Sequence, residues 1–183
     1  MLFRSVTFSP GKARDSTDVD DIVLTSALTK RLDGAWTVGN NNGGVDTGSD
    51  GTANAFYYLW IIKRSDTGVV DALFSTSATS PTMPTNYDRK QRVGWTRTDG
   101  SSNFLDWDQS ATDIHEIRYE TVIMDVSVTG QGTTGVTRTM TAPPNSIGWF
   151  RVVVFNTTFT MLNIRPLTEV EAVPAQRDRK SVV

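Results

Sequence analysis

Hydrophobic and polar positions alternate in short runs along this chain, with one long exception. From Ala55 to Ile62 (AFYYLWII) the sequence is apolar or aromatic without a break. Tyr57, Tyr58, Trp60, Ile61 and Ile62 are aromatic or β-branched, which favours an extended strand over a helix. The run is too short to cross a bilayer. Phe56, Tyr58, Trp60 and Ile62 fall on one face, and Ala55, Tyr57, Leu59 and Ile61 on the other. Both faces need cover, so the run is predicted at the centre of a sheet. Ser65-Asp66-Thr67-Gly68 supplies turn chemistry and Val69 to Phe74 the returning strand, which makes a hairpin.

The rest of the chain reads as further short strands. Leu2 to Phe8 alternates and is closed by Ser9-Pro10-Gly11; Ile22 to Leu24 follows an acidic stretch, Asp15 to Asp21. Thr25 to Trp36 is the one helical candidate, with Ser26 as a cap, Leu28 and Leu32 four apart, and Gly34 as a stop. Gly39 to Asn54 is polar and glycine-rich, a surface-loop composition. Ser75 to Tyr87 reads as an extended crossing segment anchored by Met83 and Tyr87. Arg89 to Thr98 alternates, placing Val93 and Trp95 opposite Arg92, Gly94 and Thr96; Asp99-Gly100 then turns into Asn103 to Trp107. His115 to Val128, Val136 to Ala142, Ile147 to Phe155 and Phe159 to Ile164 complete the strands, with Thr129 to Gly135 as a glycine loop.

About nine to eleven closely spaced strands predict an all-β fold, an antiparallel β-sandwich or jelly-roll-like architecture with at most one short helix. Residues 1–165 form one domain in this reading, and 166–183, poor in aromatics and rich in charge, form an extended or frayed tail.

Composition narrows the function. The 183 residues contain no Cys, which excludes disulfides and thiolate chemistry. The formal charge of −2 gives no bulk attraction to nucleic acid or anionic membrane. The first residues lack the apolar core of a signal peptide, so synthesis in a cytoplasm is expected.

Candidate chemistry is sparse. Asp15 to Asp21 carries four carboxylates but lacks the glycine and glutamate of an EF-hand loop, so a solvated acidic turn is expected and no metal. His115 is the only histidine, without a nucleophile motif to serve. Asp106 and Asp108 flank Trp107, the one pattern suited to a carboxylate-pair glycosidase. No catalytic residue and no cofactor is assigned. Arg89, Lys90, Arg92 and Arg97 interleave with Trp95 and Trp107. That mixture suits either nucleic acid or a ladder of charges paired with Asp99, Asp106 and Asp108, and the charge balance favours the ladder. Trp95, Trp107, Arg92 and Arg97 make the candidate contact patch, for sugar or protein.

The run from Lys63 to Phe104 (KRSDTGVVDALFSTSATSPTMPTNYDRKQRVGWTRTDGSSNF), with the upstream stretch from Gly11, resembles a module of tailed-phage and prophage virion proteins of the tail-fibre kind. The resemblance covers residues 11–107. It implies an all-β, non-enzymatic component of the virion, foremost a tail-fibre or host-recognition protein. Its implied partners are further copies of itself in a homotrimer, other virion proteins, and a host surface glycan, without nucleic acid or membrane insertion. A capsid decoration protein and a polysaccharide-cleaving tail protein are the alternatives.

Overall fold

The computed structural model describes residues 4–109, 117–119 and 141–143. The chain divides into two compact units, Met1–Ile123 and Met124–Val183, and the fold below is that of the first. Apart from residues 141 and 142, the strands expected beyond residue 120, and the tail after residue 165, lie outside the described residues.

The described part is all-β. Its strands are β1 (Ser5–Phe8), β2 (Gly11–Arg14), β3 (Asp21–Leu24), β4 (Leu28–Ala35), β5 (Asn42–Val45), β6 (Phe56–Lys63), β7 (Val70–Ser75), β8 (Arg89–Arg97), β9 (Trp107–Gln109) and β10 (Ile117–Tyr119). Six of them form one sheet in the order β1-β4-β5-β7-β6-β8. The β2–β3 and β9–β10 pairs are separate two-stranded ladders. Ile22 and Leu24 of β3 pack with Tyr57, Leu59, Ile61, Ala72 and Phe74 of the main sheet, a second layer over one face.

The apolar run behaves as predicted. Every residue of β6 from Tyr57 to Ile62 is buried. Tyr57, Leu59 and Ile61 belong to the cluster under β3, while Tyr58, Trp60 and Ile62 join Leu73 and Tyr87 in a cluster on the opposite face. The hairpin to β7 is closed by Arg64 N–H to Val69 O (2.9 Å) and Gly68 N–H to Arg64 O (2.9 Å). Gly68 sits at φ +76°, a left-handed backbone that suits a residue without Cβ. Met83 packs against the second cluster and Tyr87 is part of it, the anchors expected of the crossing segment.

Three expectations are corrected. The helical candidate is strand β4, with Leu28, Lys30 and Leu32 inward. A spacing of four marks one face of a helix, but four is also twice two, so Leu28 and Leu32 share a face in a strand as well.

The glycine-rich stretch is not all loop. Asn42–Val45 forms β5 in the interior of the sheet, parallel to β4 and to β7. The connection from β4 doubles back within residues 36–41, far shorter than most parallel crossovers. Glycine permits the close approach: a Cβ on Gly43 would overlap the Ala35 carbonyl and the Gly34 backbone. The sheet is therefore mixed rather than purely antiparallel.

The third correction concerns β8. Leu59 pairs with Gly94 and Trp60 with Arg92, so Val93 is an extra residue, a β-bulge. Val93 packs with the first cluster and Trp95 with the second, so the alternation read from the sequence is broken between them.

Candidate functional site

The bulge sets up the face with the most distinctive chemistry. The register places Phe56 opposite Arg97, Tyr58 opposite Trp95, Trp60 opposite Arg92 and Ile62 opposite Lys90. Without the extra residue at Val93, Arg92 and Trp95 would point to opposite sides. With it, Lys90, Arg92, Trp95 and Arg97 all meet the aromatic side of β6.

Each cation lies over a ring. Lys90 Nζ is 5.6 Å from the Trp60 centroid, Arg92 Cζ is 5.6 Å from Tyr58, and Arg97 Cζ is 5.8 Å from Phe56. These distances are those of cation–π attraction. Trp95 meets Phe56 edge-on at 5.9 Å and Tyr119 at 6.1 Å. Arg92 is exposed, and its Nη1 donates to Ala78 O at 3.0 Å. Lys90, Trp95 and Arg97 are half-buried. Burial raises the Tyr58 and Tyr119 phenols above their usual range, with Arg92 and Arg97 respectively pulling the other way, so both remain neutral at physiological pH.

The structure brings Arg92, Trp95 and Arg97 together, and Lys90 with them. Trp107 packs with the first cluster instead, and no ring contact joins it to Trp95. Tyr119 links the two: it is the cross-strand partner of Trp107 and touches Trp95. Asp106 and Asp108 are exposed, and Asp108 stands opposite Arg118 on β10. The expected charge ladder does not form with Asp99. That carboxylate instead accepts the backbone N–H groups of Ser101 (2.8 Å) and Asn103 (2.9 Å), which hold its own turn and keep its pKa below the usual range.

The acidic stretch is also internally satisfied rather than simply solvated. The Asp15 side chain is 1% exposed. It accepts the Thr17 hydroxyl (2.6 Å) and the Val19 and Asp20 N–H groups (2.8 and 3.2 Å). The Thr17 bond above all, then the backbone bonds and Arg89, holds its pKa down to about 2. Asp20 pairs with Lys63 at 2.7 Å, and Asp21 with Lys12 and Arg14 at 2.7 and 3.2 Å. Among the described residues no cluster of three potential metal ligands occurs.

A second polar centre was not expected from the sequence. Lys30 and Asp71 are fully buried, with Nζ and Oδ1 3.2 Å apart. Lys30 Nζ also donates to Thr37 O (2.6 Å) and Gly39 O (3.2 Å), and Gly39 N–H donates to Asp71 Oδ2 (2.6 Å). Trp36 closes the site, its ring 5.4 Å from Nζ and its Nε1 donating to Ala72 O at 3.0 Å. Burial lowers the Lys30 pKa and Asp71 opposes that shift. The ion pair joins β4 to β7, and the bonds to Thr37 and Gly39 and from Trp36 tie the 36–41 connection to both, so the pair locks the tight parallel return. The available signal was Asp71 itself, one acid inside the apolar run VVDALF, which needs a buried partner.

Comparison with protein-family models, curated proteins and solved structures found no match to this chain.

Proposed function

We propose that this protein is a non-enzymatic structural component of a tailed-phage virion, acting as a tail-fibre protein in host recognition. The observation that carries the reading is the face of β8. It presents Lys90, Arg92 and Arg97 beside a half-buried Trp95 on a rigid sheet, an arrangement for binding rather than for bond cleavage. Around it, turns are held by carboxylates that accept backbone N–H groups, as Asp15, Asp71 and Asp99 do. Such stapled loops suit a part that keeps its shape in an assembly. The resemblance of residues 11–107 to phage virion modules supplies the setting.

The test is light scattering on the purified protein, followed by mixing with host cells and with capsids stripped of it. A stable trimer that adheres to cells supports the reading. A monomer that ignores cells and sediments with capsids replaces it with capsid decoration.

A further inference from the structure

We propose that the β8 face binds an acidic polysaccharide whose sugar units carry carboxylate groups, with Lys90, Arg92 and Arg97 as anion contacts and Trp95 as the sugar-packing surface. The proposal rests on the host-recognition reading and gives that face a ligand class.

Most of the other cations among the described residues are paired with acids. Arg4, Lys12, Arg14, Lys30, Arg31, Lys63, Arg64 and Arg89 each have an aspartate within salt-bridge distance. Lys90, Arg92 and Arg97 have none among the described residues, and all three lie on one face of one strand. Aromatic rings hold them there in place of carboxylates. A ring face holds a guanidinium without a carboxylate, so its outward N–H groups stay available to an outside acceptor, although Arg97 Nε itself is buried. Arg92 spends one nitrogen on Ala78 O and is otherwise exposed. Carboxylates match this rim as two-point acceptors.

Geometry favours sugars over nucleic acid. Single-stranded nucleic acid binds by stacking bases on open aromatic faces. Tyr58 and Trp60 are 4% and 3% exposed, with the cations above them, so those platforms are closed. Of the rings along β6 and β8, Phe56 and Trp95 are partly open, and Arg97 lies over Phe56, which leaves Trp95 to meet the apolar face of a sugar. The cations extend over roughly 20 Å of strand, enough to meet several units of one polysaccharide.

The experiment titrates the full chain with oligogalacturonate, following tryptophan fluorescence. Its methyl ester, which removes the charge and keeps the sugar, and oligothymidylate serve as comparison ligands. Oligogalacturonate is expected to bind, to weaken as salt rises, and to lose about tenfold in affinity in Arg92→Gln and again in Arg97→Gln. Lys12→Gln, which removes an exposed and already paired cation, should leave affinity unchanged. Equal binding of the methyl ester, tighter binding of oligothymidylate, or full affinity in an Arg92→Gln/Arg97→Gln double variant with wild-type circular dichroism overturns the proposal. Cell adhesion is scored in parallel. Protein that adheres to cells yet ignores oligogalacturonate loses the acidic-glycan assignment while host recognition stands. Protein that binds oligogalacturonate through Arg92 and Arg97 but not cells keeps the site and loses the host-recognition reading.

Discussion

Lys30 and Arg92 each hold a positive charge over an aromatic ring, at 5.4 and 5.6 Å, but they differ in burial and in their acidic partners. Lys30 is sealed from water and matched by Asp71 and two carbonyls. Arg92 is exposed and has one carbonyl partner and no carboxylate among the described residues. The first arrangement spends the charge on architecture, because a buried ammonium must have its partners close at hand. The second leaves the charge available. One chain thus uses the same residue class to lock a connection on one side and to equip a surface on the other.

The largest effect is expected where the charge is locked. Asp71→Ala strands Lys30 in the interior and should cost about 3–5 kcal/mol in urea unfolding, while a Lys30→Met/Asp71→Leu double variant should cost less than either single change. A double variant as damaged as the singles would show that the loop hydrogen bonds, not the ion pair, carry the lock.

Next comes the tight return that the pair secures. Gly43→Ala forces a methyl group into the Ala35 carbonyl and should cost about 1–3 kcal/mol by the same measurement. An unchanged midpoint would remove the close β4–β5 approach.

Acid acts on the stapled turns. The folded Asp15 pKa, about 2, lies below its ordinary unfolded value, so the unfolded state takes up protons first as pH falls. Its contribution is complete above about pH 4 and is lost on the way down to about pH 2. Asp20, Asp21, Asp88 and Asp99 are shifted in the same direction and steepen the same limb. Asp15→Asn should flatten stability against pH in this window, and an unaltered slope would remove Asp15 as a staple.

The smallest effect on stability belongs to the exposed face. Arg92→Gln should leave the thermal midpoint nearly where it was, since Arg92 is exposed and its one hydrogen bond is to Ala78 O, with no ion pair among the described residues. A large drop would mean that Arg92 is a structural lid and not a surface group.

Local pattern was enough for much of this. An unbroken apolar and aromatic run can be satisfied only between two covered faces, so Ala55 to Ile62 declared a central strand, and Ser65 to Gly68 declared its hairpin. Arg92, Trp95 and Arg97, the residues proposed for contact, were also visible as a basic and aromatic mixture.

What the tertiary structure decided were the features that depend on a distant partner. Leu28 and Leu32 fit two periods at once, and only pairing with β1 and β5 made β4 a strand. Gly43 and Gly44 carry no apolar signal, because their value lies in how closely another backbone can approach. The bulge at Val93 arises from register with β6, and it alone turns Arg92 and Trp95 to the same side. Lys30 and Asp71 stand 41 positions apart in the sequence and meet only through the sheet. Hydrophobic period is a property of neighbours in the chain, whereas register, close approach and charge pairing belong to neighbours in space.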